Sequence, residues 1–232
     1  SRSLKECVGQ VWPLSRHVHG CREVQAALDA AASREELLAA AEEFRGHVAQ
    51  AIRCPNANHV MQKLMSLCDP PDLQFVVEEL LGRPGLVTQA ARQRYGCRIV
   101  QRVIRRFPLH EVPGFVDPLV ADAAALACHP FGSFSIQLLL EFGDRDLRHR
   151  TIVELAKRPP ACGKSTAACA VVTAALTYGT QGDRTVLSRS IASEPVLLAS
   201  MERTKAGRTL AERISREFHS GAHVVDQSLA PS

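Results

Sequence analysis

The sequence lacks the features that mark membrane-spanning proteins and β-sheet proteins. No apolar run approaches the roughly 18 consecutive residues of a membrane-spanning helix, so neither a membrane span nor a membrane partner is expected. No Asn-Gly hairpin turn occurs, and apolar and polar residues do not alternate in clean runs. A β-sheet is therefore not expected.

Closely spaced metal-binding residues are also missing. The eight cysteines include no CxxC pair and no His/Cys cluster at zinc spacing, so we predict neither a metal site nor a cofactor. A chain of this length needs no disulfide to stabilise its core. Most of the cysteines are expected to be free and to pack as small apolar residues on helices, which favours a reducing, intracellular compartment.

No targeting segment is visible at the start of the chain. The first residues, SRSLKECVGQVW, have no signal-peptide architecture and no initiating Met. The chain is therefore expected to be a processed or trimmed piece of a longer protein.

Catalytic residue patterns are absent as well. No Ser/Cys–His–acid set can be argued from the sequence, and the adjacent acidic pairs at 42–43 and 78–79 are expected to be solubilising charges on helices. An enzyme is therefore not predicted. The net charge of +4 and pI of about 8.7 suit a polyanionic partner, and equally a surface with a slight excess of Lys and Arg.

Short amphipathic segments that are interrupted by Pro and Gly predict an all-α protein. The segment PDLQFVVEELLG is typical, because Asp69-Pro70-Pro71 is a good helix start and Gly82 a good stop. Similar segments are CRIVQRVIRRFP and LRHRTIVELAKRPP.

One motif recurs six times along the chain. After an opening Gly or Ala it reads CREVQAAL, NHVMQKLM, CRIVQRVI, SFSIQLLL, CAVVTAAL and GRTLAERI, and its first residues follow one another at steps of 37, 39, 36, 36 and 38 residues. A period in this range predicts an α-solenoid, in which helical repeats stack to bury a continuous core. We expect 1–232 to form a single repeat domain with approximate repeats 8–44, 45–83, 84–119, 120–155, 156–193 and 194–232.

The first, second and fifth residues of each motif carry the chemistry. In repeats one to four, the fifth is always Gln, the first is small and polar or a thiol, and the second is flat. Flat groups can stack on nucleobases, and amides and hydroxyls can bond base edges. The sets are Cys21/Arg22/Gln25, Asn58/His59/Gln62, Cys97/Arg98/Gln101 and Ser133/Phe134/Gln137, followed by Cys169/Ala170/Thr173 and Gly207/Arg208/Ala211.

The segments PNANHVMQKL, RYGCRIVQRVI and HPFGSFSIQLLL resemble the repeat signatures of the Pumilio (PUF) family of single-stranded RNA-binding proteins. The resemblance covers essentially the whole chain, strongly over 45–143 and weakly after 156. It implies a right-handed superhelical crescent that binds RNA antiparallel on its concave face, one base per repeat. Of the family's eight repeats, this chain would hold the third to the eighth.

The resemblance also implies the base preferences. Asn58 with Gln62 matches a uracil-reading pair, and the Cys/Gln pairs of repeats one and three match adenine-reading pairs. Ser133 with Gln137 leaves adenine and uracil open. The implied target is 5′-NN(A/U)AUA-3′, with Arg22, His59, Arg98 and Phe134 stacking between successive bases.

The last two repeats depart from the family pattern. At Cys169/Thr173 and Gly207/Ala211 the family has a guanine-reading Ser/Glu pair and a uracil-reading Asn/Gln pair. Thr173 cannot supply the carboxylate that would accept the donors of a guanine, and Gly207/Ala211 offers no side chain that could read a base. These repeats are expected to prefer another 5′ end, to position only the RNA backbone, or to serve as scaffold.

The expected function is therefore sequence-specific binding of single-stranded RNA in post-transcriptional and translational regulation. The expected partners are mRNA 3′ untranslated regions and protein effectors on the convex face, for a cytoplasmic monomer. Two alternatives stay open. One is a helical-repeat scaffold for proteins, and the other is a Pumilio-like ribosome-assembly factor, nucleolar, that binds RNA without a base code.

Overall fold

The computed structural model describes residues 2–226, with side chains for 2–218, and every regular element in that range is helical. No helix there combines the length and apolar character that crossing a membrane requires. Two 3₁₀ helices cover Pro70–Leu73 and Leu109–Glu111. The α-helices are α1 (Leu4–Cys7), α2 (Val11–Ser15), α3 (Val18–Asp29), α4 (Arg34–Glu42), α5 (Val48–Ala51), α6 (Ala57–Leu67), α7 (Gln74–Leu81), α8 (Leu86–Ala91), α9 (Gly96–Arg106), α10 (Pro113–Ala121), α11 (Ala123–Ala127), α12 (Gly132–Phe142), α13 (Arg145–Lys157), α14 (Thr166–Tyr178), α15 (Gln181–Ala192), α16 (Pro195–Met201) and α17 (Lys205–Asp226).

The expectation of an all-α protein is confirmed. The predicted helix start at 69–71 and the predicted stop at Gly82 lie close to the observed helix ends. Asp69 occupies the N-cap position in an extended conformation, and the chain becomes helical at Pro70. Its first turn is 3₁₀ and continues directly into α7, which ends one residue before Gly82. Proline fits this first turn because its missing N–H would have had no helical partner there.

The chain divides into two compact bodies, an N-terminal body (Ser1–Pro118) and a C-terminal body (Leu119–Ser232). In the N-terminal body, α3 packs on α6 and α6 packs on α9. In the C-terminal body, α12 packs on α14 and α14 packs on α17. These six helices, called the motif helices below, each carry one copy of the recurring motif. Each body thus stacks repeats side by side as a solenoid does.

Helix α9 shows how a motif helix divides its faces. Ile99, Val100, Val103 and Ile104 are at most 1% exposed, because their spacing puts them on one stripe of the helix. The opposite side carries charged residues such as Arg98 and Arg105, which are exposed. The apolar half of the motif therefore fixes the helix in the stack and leaves the polar half outside the core.

Two glutamates stabilise corresponding turns of neighbouring repeats. Glu43 accepts a hydrogen bond from the backbone N–H of Gly9 at 2.6 Å, and Glu79 accepts one from Gly46 at 2.5 Å. Both glycines have left-handed backbone angles, with φ of 91° and 80°, where a side chain would be strained. Each carboxylate also accepts a hydrogen bond from a second backbone N–H, in the first turn of the helix that follows the glycine. It thereby caps the N-terminal end of that helix.

A buried carboxylate joins α13 to α15 in the C-terminal body. Asp183 is 4% exposed and accepts hydrogen bonds from the Thr180 hydroxyl and from His149 Nδ1, both at 2.6 Å. Burial alone would raise the pKa of Asp183. The bonds from Thr180 and His149 outweigh it, so the pKa lies below its ordinary value.

Acid should weaken the C-terminal body through Asp183. Because the folded-state pKa is lowered, the ionised carboxylate contributes stability at pH above its unfolded pKa of about 3.9, and this contribution is lost as the pH falls through the folded value. We expect Asp183→Asn to lower the free energy of unfolding at pH 7 by about 1–3 kcal/mol. Urea unfolding at pH 7 and pH 3 measures both effects. A loss of the same size at pH 3 would contradict the role of the charge.

Candidate nucleic-acid interface

The motif helices present the three predicted reading positions with a constant pattern of exposure. In repeats one to four, the first residue is buried, the second is exposed and the fifth is half-buried. Phe134 is 45% exposed, which is unusual for a large apolar side chain, whereas Phe131 is half-buried. The second residue of each motif is therefore accessible to solvent, whereas the first and fifth residues beside it lie deeper in the helix surface. A side chain that stacks between bases needs this accessibility.

In repeat two, the two amides of α6 bond to one another. Asn58 Nδ2 donates to the carbonyl oxygen of Cys54 at 2.7 Å, and Gln62 Nε2 donates to Asn58 Oδ1 at 2.9 Å. Each NH₂ group keeps a second N–H, and Gln62 keeps its own carbonyl oxygen. The pair thus retains two donors and one acceptor for a ligand.

In repeats one and four, the glutamine amide folds back on its own helix. Gln25 Nε2 donates to the carbonyl oxygen of Cys21 at 3.0 Å, and Gln137 Nε2 donates to that of Ser133 at 3.3 Å. These bonds hold the nitrogen side of each amide against the backbone. The carbonyl oxygen of each glutamine is left as the acceptor.

In repeat three, the amide has the opposite orientation. Arg98 Nη1 lies 3.4 Å from Gln101 Oε1 and donates to it. Gln101 Nε2 is buried and has no hydrogen-bond partner among the described residues. A buried donor without an acceptor costs roughly 1–3 kcal/mol, so this amide is suited to a ligand that supplies an acceptor.

The thiols of repeats one and three are neutral. Cys21 and Cys97 Sγ each donate to a backbone carbonyl three residues earlier, both at 3.3 Å. Burial raises the pKa of both thiols. A base at these positions would meet an uncharged S–H group and not a thiolate.

The Pumilio-family RNA-binding repeat model matches residues 10–37, 47–81, 88–112 and 123–156, which is more than half of the chain. The chain belongs to the Pumilio family. The segments that match the Pumilio repeat contain the predicted reading positions of repeats one to four, from Cys21 to Gln137.

Similar curated proteins carry the same family name. A Pumilio domain-containing protein of Schizosaccharomyces pombe is 26% identical over 57% of this chain and 19% of its own length. Pumilio homology domain family member 4 of Saccharomyces cerevisiae is 24% identical over 71% of this chain and 17% of its own length. The chain therefore spans about a fifth of these Pumilio relatives.

Solved Pumilio structures share the fold. PUF-8 in complex with PBE-RNA superposes with a TM-score of 0.80 over 92% of this chain and 63% of that chain, at 16% identity. The Puf3 RNA-binding domain, bound to site B of the Cox17 RNA 3′ UTR, gives a TM-score of 0.72 over 99% of this chain and 72% of that chain, at 18% identity. The prediction of a Pumilio-like α-solenoid is confirmed.

In each body, neighbouring motif helices bring the predicted reading positions together. The N-terminal body holds the predicted readers of repeats one to three on α3, α6 and α9. In the C-terminal body, Ser133 and Gln137 on α12 adjoin the shorter side chains Ala170 and Thr173 on α14. The base preferences of these residues stay predictions.

The cap of α17 favours a different register for Pumilio repeat six. Thr204 Oγ1 accepts from the backbone N–H of Gly207 at 3.0 Å. Ser165 Oγ accepts in the same way from Ala168 at 3.2 Å, and Ala168 is the residue directly before the repeat-five motif. By this match, Gly207 precedes the motif and is not its first residue. The first, second and fifth positions then become Arg208, Thr209 and Glu212, in place of Gly207, Arg208 and Ala211.

Close packing at Gly207 supports the later register. A Cβ at Gly207 would collide with the carbonyl oxygen of Met201, six residues earlier. Gly96, which directly precedes the repeat-three motif, has the same relation to Ala90, with its carbonyl oxygen 2.8 Å from an added Cβ. The sequence alone leaves two registers for this repeat, because Gly207 can be aligned with the first position or with Gly20, Gly96 and Gly132, which directly precede it. The packing of Gly207 decides between them.

Proposed function

We propose that this chain binds single-stranded RNA sequence-specifically, with one base read by each of repeats one to four. The observation that carries the proposal is that four glutamines occupy the same position of four successive motif helices. Each of them lies beside an exposed flat side chain. A helix surface that binds no ligand would not require a glutamine and a flat side chain at the same positions in four successive repeats. The proposed core is 5′-NN(A/U)AUA-3′.

The repeat-two pair suits uracil. The Watson–Crick edge of uracil presents an acceptor, a donor and an acceptor in a row. The donors left on Asn58 and Gln62, with the free carbonyl of Gln62 as acceptor, form the complementary set. His59 is exposed beside them and is proposed to stack on the base.

The repeat-one and repeat-three pairs suit adenine. Its Watson–Crick edge presents one acceptor, N1, and one donor, the amino group. In repeat three the unpartnered Gln101 Nε2 supplies a donor for N1, and in repeat one the free carbonyl of Gln25 supplies an acceptor for the amino group. The neutral thiols offer an apolar contact beside the amide.

The Ser133/Gln137 pair of repeat four accepts adenine or uracil. Gln137 keeps a free carbonyl oxygen, and both bases carry a donor on the edge that would meet it. Phe134 is proposed to stack beside this base, as Arg22 and Arg98 do in repeats one and three.

We further propose a role in mRNA regulation, in the cytoplasm, with one chain bound per RNA and with protein effectors on the surface away from the motif. The structure of Puf3 with a 3′ UTR site supports mRNA as the class of target. The rival function is a protein-binding scaffold, favoured by the loss of readers at Ala170 and Thr173. Selection from a random RNA pool separates the two, because a scaffold enriches no motif.

Removing the repeat-two glutamine should weaken binding to the uracil-containing target. Gln62→Ala is expected to lower affinity for an AAUA oligonucleotide by about 10- to 100-fold, because it deletes a donor and the central acceptor of the pocket. Fluorescence anisotropy at fixed salt measures the dissociation constant. Gln74→Ala, an exposed glutamine on α7 of the same repeat, is the matched control and should bind as the unchanged chain does. Equal affinity of the two variants would contradict the repeat-two assignment.

A further inference from the structure

The C-terminal body contains an open groove of about 610 Å³ between α13 and α15. These two helices follow the motif helices α12 and α14 along the chain, and they pack on one another. The lining residues belong to α13, to α15 and to Thr180, the residue directly before α15. The groove therefore lies apart from the predicted reading positions, and its volume suits a small ligand or the anchoring side chains of a partner.

The floor of the groove is aliphatic. Ile152 is fully buried, Val153 is half-buried, and Val186 on the facing helix is 50% exposed. Gly182 contributes no side chain, and a Cβ added to it would meet only Thr180 Oγ1, at 3.9 Å. An exposed valine beside this open space gives an apolar side chain of a partner a surface to cover.

Two polar side chains on the rim are available to a partner. Asp183 holds the His149 ring through Nδ1 at 2.6 Å, and Nε2 forms no hydrogen bond within residues 2–218. Arg145 is exposed, and its guanidinium forms no ion pair in the part of the chain that the structure describes. The carboxylate of Asp146, on the same rim, offsets part of this charge. The rim thus offers one unpaired cation and one oriented ring nitrogen beside the aliphatic floor.

We propose that this groove docks an acidic peptide segment of a protein partner, in which an apolar side chain lies next to a carboxylate. The apolar side chain fills the space above Gly182 and covers Val186, the carboxylate pairs with Arg145, and a polar group of the segment bonds His149 Nε2. This inference rests on the part of the proposed function that assigns protein effectors to the surface away from the motif. It adds where one of them binds and by what chemistry.

The charge of the helices favours an acidic occupant. Helices α13 and α15 together carry six Arg and Lys residues and three Asp and Glu residues. The helices that follow the motif helices of the N-terminal body, α4, α7 and α10, carry one and six respectively. A segment with clustered carboxylates is therefore attracted to α13 and α15 and repelled by the other three helices. RNA is a poorer occupant, because an aliphatic floor gives a base no aromatic surface on which to stack.

The test begins with a selection from phage-displayed short random peptides on the whole chain. We expect the enriched peptides to place Leu, Ile, Met or Phe next to Asp or Glu, since an apolar anchor and a flanking charge are what the groove binds. The enriched peptides are then synthesised with a fluorescent label and titrated against the chain and its variants by anisotropy.

Two substitutions with matched controls locate the binding. Gly182→Leu should weaken peptide binding by about 10-fold or more, because its side chain occupies the space of the anchor. Gly114→Leu is the same change at the second residue of α10, where glycine is also exposed, and should bind as the unchanged chain does. Arg145→Gln should weaken binding by about 3- to 10-fold and reduce its salt dependence. Arg189→Gln, at an exposed arginine of α15 outside the groove, should leave both unchanged.

The outcomes separate this inference from the base-reading proposal. Gly182→Leu should bind the AAUA oligonucleotide as the unchanged chain does, because α15 carries no reading position, and this result also shows that the variant is folded. If AAUA binds but no peptide is enriched, or if the enriched peptides are basic or bind Gly182→Leu equally well, the docking proposal is overturned and base reading stands. Displacement of the peptide by AAUA would assign the groove to RNA and overturn the docking proposal as well. If the peptides bind as expected and AAUA does not, docking stands and base reading falls.

Discussion

Asn58→Cys is expected to change the repeat-two preference from uracil to adenine. The substitution converts Asn58/Gln62 into the Cys/Gln pair that repeats one and three already contain. It removes Asn58 Oδ1, which now accepts from Gln62 Nε2, so the glutamine donor is released to meet adenine N1. Affinity for AAUA should fall and affinity for AAAA should rise, each by about 10-fold, as expected for one base-specific pair.

The site can accept the smaller residue. Asn58 is 1% exposed, and its counterparts Cys21 and Cys97 are 5% and 1% exposed, so a thiol fits the same environment. The new thiol can donate to the backbone carbonyl of Pro55, three residues earlier, as the counterpart thiols do in their repeats.

The reciprocal substitution is the control. Cys97→Asn should move the repeat-three preference from adenine to uracil and leave the repeat-two base unaffected. Anisotropy titrations with the four oligonucleotides that vary these two bases give a complete matrix. An unchanged preference in both variants, with circular dichroism showing intact helices, would rule out one-base readout by these pairs.

Phe44→Ala is expected to lower the free energy of unfolding by about 3–5 kcal/mol, the largest stability effect predicted here. Phe44 is fully buried, and its ring meets that of Trp12 edge to face at 5.4 Å between centroids. Truncation removes this contact and leaves a cavity that a packed core fills only in part. A loss of this size is a large share of the 5–15 kcal/mol typical of folded domains.

Phe134→Ala provides the matched comparison, because it removes the same ring from a surface position. Phe134 is 45% exposed, so its loss should change the free energy of unfolding by less than about 0.5 kcal/mol. The affinity of the Phe134→Ala variant for RNA should nevertheless fall by roughly 10-fold, because the ring no longer stacks on a base. Urea unfolding and anisotropy on both variants test the pair. If Phe134→Ala destabilised the chain as much as Phe44→Ala, the exposed ring would belong to the core and not to the interface.

Much of the fold follows from local pattern. The repeating apolar stripe, seen on α9 as Ile99, Val100, Val103 and Ile104, determines both the helix and the face that it buries. The repetition of that stripe at nearly constant spacing predicts stacked repeats, since one repeat cannot bury its apolar face alone. The exposure of His59 and Phe134 follows from the same helical geometry. Each directly follows a buried residue, and successive side chains on a helix point in different directions, so the second one faces away from the core.

The sequence alone could not show how each glutamine is oriented. Gln25, Gln62 and Gln101 occupy the same motif position, yet their amides bond to a backbone carbonyl, a neighbouring amide and an arginine respectively. The choice depends on distances of a few tenths of an ångström between side chains. A residue pattern carries no information at that scale.

The sequence by itself determined the helices, the period of the repeats, the family and the residues that form the motif face, because these depend on spacing along one helix. Only the tertiary structure decided the register of α17 and the orientation of each glutamine amide. The register depends on where Gly207 packs against the carbonyl oxygen of Met201, and the orientation of an amide depends on which donor or acceptor lies within hydrogen-bond distance of it. Both are decided by distances between packed groups, which are set by side-chain packing and not by any local pattern.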